Sequence, residues 1–257
     1  MIEQVAAWLQ ESRHTVAFTG AGISTESGIP DFRSPGGIWS DTDPVMFQDF
    51  VASAEARDEY WRQKSAAYRE YSEAKPNGGH EILAAWESRG LLQGVITQNI
   101  DGLHQQAGST EVQEIHGTAR VVSCLDCGFR DDAGKWVGKY FETGAAPRCP
   151  SCAGPLKHAT ISFGQDLDKL VLGNCSRWSR ECELLLVMGS SLAVRPAADL
   201  PVLAKQTGSR VVIINRDPTA LDDMADLVIH GGLGDTLATV NAILPQVEHT
   251  AQDPRDG

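Results

Sequence analysis

Four cysteines give the clearest chemical signal in this chain of 257 residues. Cys124 and Cys127 form one Cys-x-x-Cys pair, and Cys149 and Cys152 form a second. Two residues between thiolates let both sulfurs face one metal ion, and two such pairs complete a tetrahedral four-thiolate shell for Zn²⁺. Because protein ligands fill every position, none is left for a reactive water, and we expect the zinc to stabilise a small folded unit. A disulfide pair or a redox dithiol is the alternative.

A glycine-rich turn is the second signal: Gly20, Ala21, Gly22 and Ser24 come directly after a short apolar run. Glycines allow the backbone to approach an anion, and a helix that follows offers free N–H groups to a phosphate. The dehydrogenase fingerprint would place a third glycine where this chain has Thr25, which disfavours hydride transfer.

A loop between Pro30 and Pro35 carries Asp31, Phe32 and Arg33. The two prolines prevent this segment from being a helix or a central strand. Loops of this kind carry binding and catalytic residues, and a surface turn with a buried phenylalanine is the structural alternative.

Polar side chains follow the apolar run that ends at Thr97, namely Gln98, Asn99 and Asp101. At the carboxyl end of a strand these groups are suited to a carboxamide or to ribose hydroxyls, although Asn99 or Asp101 would serve equally well as a helix N-cap. His116 is the best candidate for a general base, because an imidazole titrates near neutral pH.

Two later segments also follow apolar runs. Gly189, Ser190 and Ser191 offer small residues and hydroxyls to a diphosphate, and Asn215 and Arg216 are suited to the adenine-side ribose. A tight turn explains either segment as well as ligand binding does.

The elements that must position these residues are short apolar strands that alternate with helical patterns. An amphipathic helix is predicted over 2–12, and strands are predicted at 15–19, 94–97, 184–188, 210–215 and 226–230. This alternation predicts an α/β protein with a Rossmann-like, doubly wound parallel sheet, which binds ligands at the carboxyl ends of its strands.

Two segments interrupt the alternation, and we interpret them as inserts that form a smaller zinc-binding plus helical domain. The predicted division is a Rossmann-like domain over 1–34, 81–119 and 158–246, a helical insert over 35–80, a zinc-ribbon insert over 120–157, and a flexible tail over 247–257.

Composition argues against several classes of partner. The chain has 22 Lys+Arg against 34 Asp+Glu, a formal net charge of −12, which disfavours nucleic acid held by phosphate contacts. No apolar run approaches the roughly 20 residues of a membrane span, and the first residues lack a basic export signal. With six cysteines, these features predict a cytoplasmic protein. The oligomeric state is left open.

Read together, the segments resemble the sirtuins, which are NAD-dependent protein-lysine deacylases. The resemblance runs from about residue 15 to 245 and is carried by GAGIS (20–24), SGIPDFRSPGGIW (27–39), TQNIDGLH (97–104), HG (116–117), the four cysteines, GSSL (189–192), IINRDPT (213–219) and ADLVIHG (225–231). It implies a structural zinc and a cleft between two domains. NAD and an acyl-lysine protein or peptide would enter this cleft from opposite sides.

The resemblance also implies roles for individual residues. His116 corresponds to the catalytic base, and Asn99 corresponds to a catalytic residue of the nicotinamide pocket. The implied cofactor-binding residues are Gly20, Ala21, Gly22, Ser24, Asp31, Phe32, Arg33, Gln98, Asn99, Asp101, His116, Gly189, Ser190, Ser191, Asn215 and Arg216. The substrate backbone would pair, as a strand, with Thr160, Ile161, Phe163 and Gly164.

The implied reaction releases nicotinamide, free lysine and O-acyl-ADP-ribose, with deacetylation as the first expectation. Ser162 and Gln165 depart from the aromatic-Phe-Gly-Glu segment of many sirtuins, which leaves the acyl preference open. Lys64 and Ala67 stand where succinyl-preferring sirtuins carry a Tyr and an Arg, so bidentate Arg binding of a carboxylate is not expected. Alternatives are mono-ADP-ribosyl transfer or NAD hydrolysis at the same site, and a non-catalytic NAD-binding regulator. A base such as His116 argues against the last.

Overall fold

The computed structural model describes residues 1–31 and 43–245. Its larger part is a parallel sheet of six strands: β1 (Thr15–Thr19), β2 (Gly94–Thr97), β3 (Val112–Glu114), β7 (Leu184–Met188), β8 (Arg210–Asn215) and β9 (Leu227–His230). The spatial order is β3-β2-β1-β7-β8-β9, with a change of direction at β1, as in doubly wound sheets. The predicted fold class is confirmed. The short edge strand β3 has no long apolar run and was not predicted.

Helices cover both faces of this sheet, which explains why the central strands β1, β2 and β7 are buried along their whole length. Leu184, Leu186 and Met188 face one hydrophobic cluster, whereas Leu185 and Val187 face the other. The first cluster includes residues of helices α1 (Ile2–Glu11), α4 (Gly78–Ser88) and α9 (Leu233–Ile243), and the second includes residues of α7 (Lys169–Glu181) and α8 (Asp199–Gln206). A four-residue helix, α5 (Leu103–Gln106), follows β2.

A smaller unit contains an antiparallel sheet in the order β5-β4-β6. Its strands are β4 (Gly117–Cys124), β5 (Arg130–Asp132) and β6 (Leu156–Thr160), and its helices are α2 (Phe47–Ala52), α3 (Ala54–Glu73) and α6 (Ala133–Thr143). Phe50, Trp61 and Trp136 share one core, so the two predicted inserts pack together. The domain boundaries themselves stay a prediction, and the predicted tail over 247–257 lies outside the described residues. Within the described ranges, no helix is long and apolar enough to cross a membrane.

The start of α4 ties a helix of the sheet to the glycine turn. Asn77 is the N-cap: its Oδ1 accepts from the Gly79 N–H at 2.9 Å, and the Asn77 N–H donates to Nδ1 of His80 at 3.3 Å. The same Asn77 donates from Nδ2 to the Ile23 carbonyl at 2.7 Å. A local helix signal therefore also fixes the segment that follows β1.

Candidate active site

The turn after β1 lies against the turn after β7, backbone to backbone. The Gly22 N–H donates to the Gly189 carbonyl at 2.8 Å, and a Cβ on Gly20 would lie 2.7 Å from the same oxygen. Gly189 has φ +61°, and its Cβ would lie 2.6 Å from the Ile23 nitrogen. The close approach of these two turns therefore requires glycine at all three positions. Residues Ala21–Ser27 form a 3-10 helix, so the helix expected here takes its tighter form.

Asn99 is held by a chain of buried hydrogen bonds. Its Nδ2 donates to the Gly20 carbonyl at 3.1 Å and to Ser24 Oγ at 3.0 Å. Ser24 Oγ in turn donates to Asp101 Oδ2 at 2.7 Å, and Asp101 Oδ1 accepts from the Leu103 N–H at 2.9 Å. Asp101 therefore accepts from the first residue of α5, whose N-cap is Gly102, and it also orients Ser24 and Asn99.

His116 lies at the end of β3, opposite the carboxyl end of β2. Its Nδ1 is 3.0 Å from the carbonyl oxygen of Gln98, and the Gln98 side chain donates from Nε2 to Ser190 Oγ at 2.7 Å. Because a carbonyl can only accept, Nδ1 carries the proton of the neutral ring and Nε2 is its basic nitrogen. This is the tautomer that a general base at Nε2 requires.

One cavity of about 1440 Å³ connects these groups. It exceeds the roughly 300–1,000 Å³ of ordinary small-molecule sites, which leaves room for a dinucleotide together with a substrate side chain. Predicted residues that line it are Gly20, Ala21, Gly22, Asp31, Gln98, Asn99, His116, Thr160, Ile161, Phe163, Gly164, Gly189, Ser190, Ser191, Asn215 and Arg216. Ser24 and Asp101 do not line the cavity and instead lie buried behind Asn99. Phe32 and Arg33 lie outside the described residues.

The predicted peptide-pairing segment begins where β6 ends, at Thr160. The Phe47 N–H donates to the Phe163 carbonyl at 2.9 Å, and Gln48 Nε2 donates to the Gly164 carbonyl at 2.9 Å. Gly164 has φ +80°, and a Cβ there would lie 2.5 Å from the Gln48 amide oxygen. The segment after Thr160 is therefore irregular but anchored to the residues around the start of α2.

The ends of β7 and β8 form the opposite end of the cleft. Ser190 Oγ accepts from the Leu192 N–H at 3.2 Å, and Asn215 Nδ2 donates to the Asp217 carbonyl at 2.7 Å. Arg216 is exposed and forms an ion pair with Asp217 at 3.3 Å.

Several cavity residues were not predicted. Gly231 and Gly232 follow β9 directly, and this strand-then-glycine pattern, already used for β1 and β7, would have identified them. Tyr60 and Gln63 reach the cavity from α3, and nothing in the helical pattern marks them. Lys64, which the sequence comparison with succinyl-preferring sirtuins singled out, lines the cavity beside them.

Buried titratable groups surround the site. Burial, with a smaller contribution from neighbouring His80, lowers the pKa of His104 to about 3, so this ring is neutral. Its Nε2 lies 3.0 Å from Thr19 Oγ1, which donates to Thr97 Oγ1 at 2.9 Å. Burial raises the pKa of Glu114 to about 7. Near neutral pH, His104 therefore adds no charge at the carboxyl ends of β1 and β2, and Glu114 is only partly ionised.

The four cysteines lie in one cluster, with ligand atoms all within 4.8 Å of one another. The Sγ atoms of Cys124 and Cys152 are 3.5 Å apart, and those of Cys127 and Cys149 are 3.6 Å apart. Zn–S bonds of about 2.3 Å place tetrahedral sulfurs roughly 3.8 Å apart, so the donor set fits a zinc ion. Its four thiolates form a closed shell of the structural type.

The parallel sheet, the turns at its carboxyl edge and the four-cysteine module define a dinucleotide-binding protein with a zinc-stabilised second unit. Residues 20–196 match the model of the Sir2 family. The chain belongs to this family.

Known relatives cover almost the whole chain. It is 46% identical over 239 residues to a protein of Rhodopseudomonas palustris named NAD-dependent protein deacetylase, covering 92% of this chain and 94% of that protein. It is 48% identical over 240 residues to NAD-dependent protein deacetylase 1 of Bradyrhizobium diazoefficiens, covering 92% and 93%. A solved Sir2 structure with a p53 peptide and NAD⁺ has a TM-score of 0.85 at 36% identity, covering 93% of this chain and 97% of that one. Another, with a deacetylated p53 peptide and 3′-O-acetyl-ADP-ribose, has a TM-score of 0.87 at 35% identity, covering 93% and 96%.

Proposed function

We propose that this protein is an NAD-dependent protein-lysine deacetylase, with deacylation of other acyl-lysines as the broader activity. The observation that carries this proposal is that one cleft contains the glycine turn, Asn99, the general base His116 and the end of β6. A dinucleotide and a peptide side chain can therefore meet at the imidazole. Relatives named as NAD-dependent protein deacetylases support the assignment.

The roles proposed for the cleft follow its geometry. The glycine turn would hold the diphosphate, and Gln98 a ribose. Asn99 would contact nicotinamide, because its Nδ2 is already used by Gly20 and Ser24 and its Oδ1 remains as the acceptor. Ser190, Ser191, Asn215 and Arg216 would hold the adenosine half, and Asp31, Phe32 and Arg33 would lie near the reacting ribose.

Bound NAD supplies an electrophilic ribose carbon and nicotinamide as the leaving group. The cleft would orient the acyl oxygen of lysine toward that carbon and keep water from it, as chemistry that depends on orientation requires. His116 Nε2 then withdraws a proton from a ribose hydroxyl, since the Gln98 carbonyl holds the other ring nitrogen protonated.

We propose an acyl-lysine protein or peptide as the second substrate. Thr160, Ile161, Phe163 and Gly164 would contact its backbone. The anchoring of Phe163 to Phe47 and of Gly164 to Gln48 supports this role. The described cysteines form no disulfides, which is consistent with the cytoplasmic compartment proposed from the sequence.

Mass spectrometry of reactions with NAD and peptides that carry acetyl-, succinyl- or long-acyl-lysine tests this function. We expect nicotinamide, deacylated peptide and O-acyl-ADP-ribose in equal amounts, and loss of these products in His116→Ala. Nicotinamide with ADP-ribose but no deacylated peptide would contradict deacylation and indicate NAD hydrolysis. A mass gain of ADP-ribose on protein would indicate the alternative of mono-ADP-ribosyl transfer.

A further inference from the structure

Arg120 joins two elements that line different parts of the cleft. It lies on β4, and its half-buried guanidinium donates from Nε to the Asp101 carbonyl at 2.7 Å and from Nη2 to the Tyr71 carbonyl at 3.0 Å. Among the side chains that the structure describes, which do not include that of Glu70, no carboxylate forms an ion pair with Arg120. Its guanidinium joins two backbone carbonyls from separate segments.

The Tyr71 carbonyl belongs to the C-terminal turn of α3. Helix α3 ends at Glu73 with no basic residue in its last turn, and Ala74 is already extended. The last four carbonyls of a helix lack partners within the helix, and they carry its negative dipole end. Arg120, which lies on another element, donates a hydrogen bond to the Tyr71 carbonyl and brings a positive charge to this end of the helix.

The Asp101 carbonyl belongs to the polar loop after β2. Gly102 has φ +70°, and a Cβ there would lie 3.2 Å from Arg120 Cγ, so the arginine stem occupies the space beside this glycine. The adjacent Ala119 N–H donates to the Ile100 carbonyl at 2.8 Å. The beginning of β4 thus holds two successive carbonyls of the loop.

The side chain of Asp101 continues this connection into the cleft. Asp101 accepts from Ser24, which accepts from Asn99, and Asn99 lines the cavity. On the other side, α3 lines the same cavity through Tyr60 and Lys64. Arg120 therefore lies between the helix on one wall and the buried network behind the other.

We propose that Arg120 is a positioning residue that couples α3 to the Asp101 loop, so that an acyl-lysine side chain lying beside Tyr60 and Lys64 of α3 tightens binding of the nicotinamide end of NAD. This inference rests on the proposed function. Loss of Arg120 would uncouple the two substrates, while the glycine turn and the adenosine end keep their own contacts.

The test uses calorimetry with a non-cleavable NAD analogue whose nicotinamide ribose is carbocyclic. Its affinity is measured with and without an acetyl-lysine peptide. We expect the peptide to tighten analogue binding about tenfold or more in the wild-type protein and about twofold or less in Arg120→Met. Arg120→Lys should resemble Arg120→Met, because a single ammonium does not reproduce the guanidinium fork that reaches both carbonyls.

Two controls separate coupling from general damage. ADP-ribose lacks nicotinamide, and its affinity should change less than about twofold in Arg120→Met. Arg89 offers a matched arginine, since it donates to the Pro245 carbonyl at 2.6 Å and to Asn241 Oδ1 at 3.3 Å at the far end of α4. Arg89→Met should lower the melting temperature and keep the wild-type coupling.

Wild-type coupling in both Arg120 variants would overturn the inference, as would an equal loss of affinity for ADP-ribose and the analogue. If the wild-type protein binds the analogue but the peptide does not change its affinity, only the coupling is refuted. Failure of the wild-type protein to bind the analogue would refute the proposed function and the coupling together.

Discussion

Gln98 and His116 are connected by a hydrogen bond that determines the chemistry of the imidazole, with 3.0 Å between His116 Nδ1 and the Gln98 carbonyl oxygen. The Gln98 side chain is itself fixed to Ser190 Oγ at 2.7 Å. The end of β2 therefore sets both the tautomer and the orientation of the ring. A backbone carbonyl therefore holds the proton on Nδ1 and leaves Nε2 as the basic nitrogen.

Replacing His116 by alanine should lower kcat for deacetylation about 10²- to 10⁴-fold, the usual contribution of a general base. Exchange of labelled nicotinamide into NAD should persist, because the base is needed after nicotinamide has left. His14 is a matched control, since its Nδ1 lies 3.3 Å from the Glu181 carbonyl at the other edge of the sheet. His14→Ala should retain full turnover, and an equal loss in both variants would contradict the assignment.

Gly189→Ala should destabilise the fold by roughly 1–3 kcal/mol and weaken ADP-ribose binding. The new Cβ would require φ +61° and would meet the Ile23 nitrogen at 2.6 Å, so the two glycine turns must separate. Gly173 within α7 is the control, because nothing lies within 4 Å of its Cβ position. Gly173→Ala should raise stability by about 0.5–1 kcal/mol in denaturant titrations. Equal effects of the two substitutions would disprove this explanation.

Zinc content should be about one ion per chain in the wild-type protein and close to zero in Cys149→Ser. Cys175 is buried in α7 outside the cluster, so Cys175→Ala should retain the metal. Chelation should disorder the core around Trp61 and Trp136, which near-ultraviolet circular dichroism reports. A chelated protein with unchanged folding and activity would show that the cluster has no structural role.

Acid should destabilise the protein through its buried histidines. Burial lowers the pKa of His158 to about 3, with smaller contributions from Lys64 and Lys157, and both ring nitrogens lack partners within the described residues. Between pH 6.5 and 3 the unfolded chain binds more protons, so the free energy of unfolding falls as pH falls through this window.

The variant His158→Phe removes that proton-binding site and keeps an aromatic ring beside Trp61, whose ring centroid is 5.1 Å away. The free energy of unfolding of the variant minus that of the wild type should be about 2 kcal/mol larger at pH 5 than at pH 8. The measurement at pH 8 is the internal control, because the histidine is neutral there in the folded and the unfolded chain. Glu114 is present in both proteins, so its contribution to the pH dependence cancels in the difference. A stability difference that is independent of pH would contradict the neutral, buried state of His158.

Short sequence patterns predicted most strands of the parallel sheet and the cysteine cluster. Apolar runs of four to six residues predicted five of the six strands of the parallel sheet, because strands covered by helices on both faces are rich in apolar side chains. The cysteine spacing predicted a cluster that the structure assembles. Strand β3 was missed because Val112–Glu114 is short and only partly buried.

The site depended more on the tertiary structure. The sequence predicted Asn99, Asp101 and His116 as site residues and placed all three in the cleft. In the structure Asp101 lies behind Asn99 and is connected to it by hydrogen bonds through Ser24. No local pattern marked Arg120, because its two acceptors come from segments 19 and 49 residues away in the chain.

The sequence by itself determined most strands of the parallel sheet, which residues can bind a metal and which groups can exchange a proton, since those properties depend on side-chain chemistry and short spacings. Only the tertiary structure decided which backbone carbonyl selects the His116 tautomer and which turn requires Gly189. Hydrogen bonds act over about 3 Å, and contacts this short between distant segments exist only once the sheet and the zinc module have assembled.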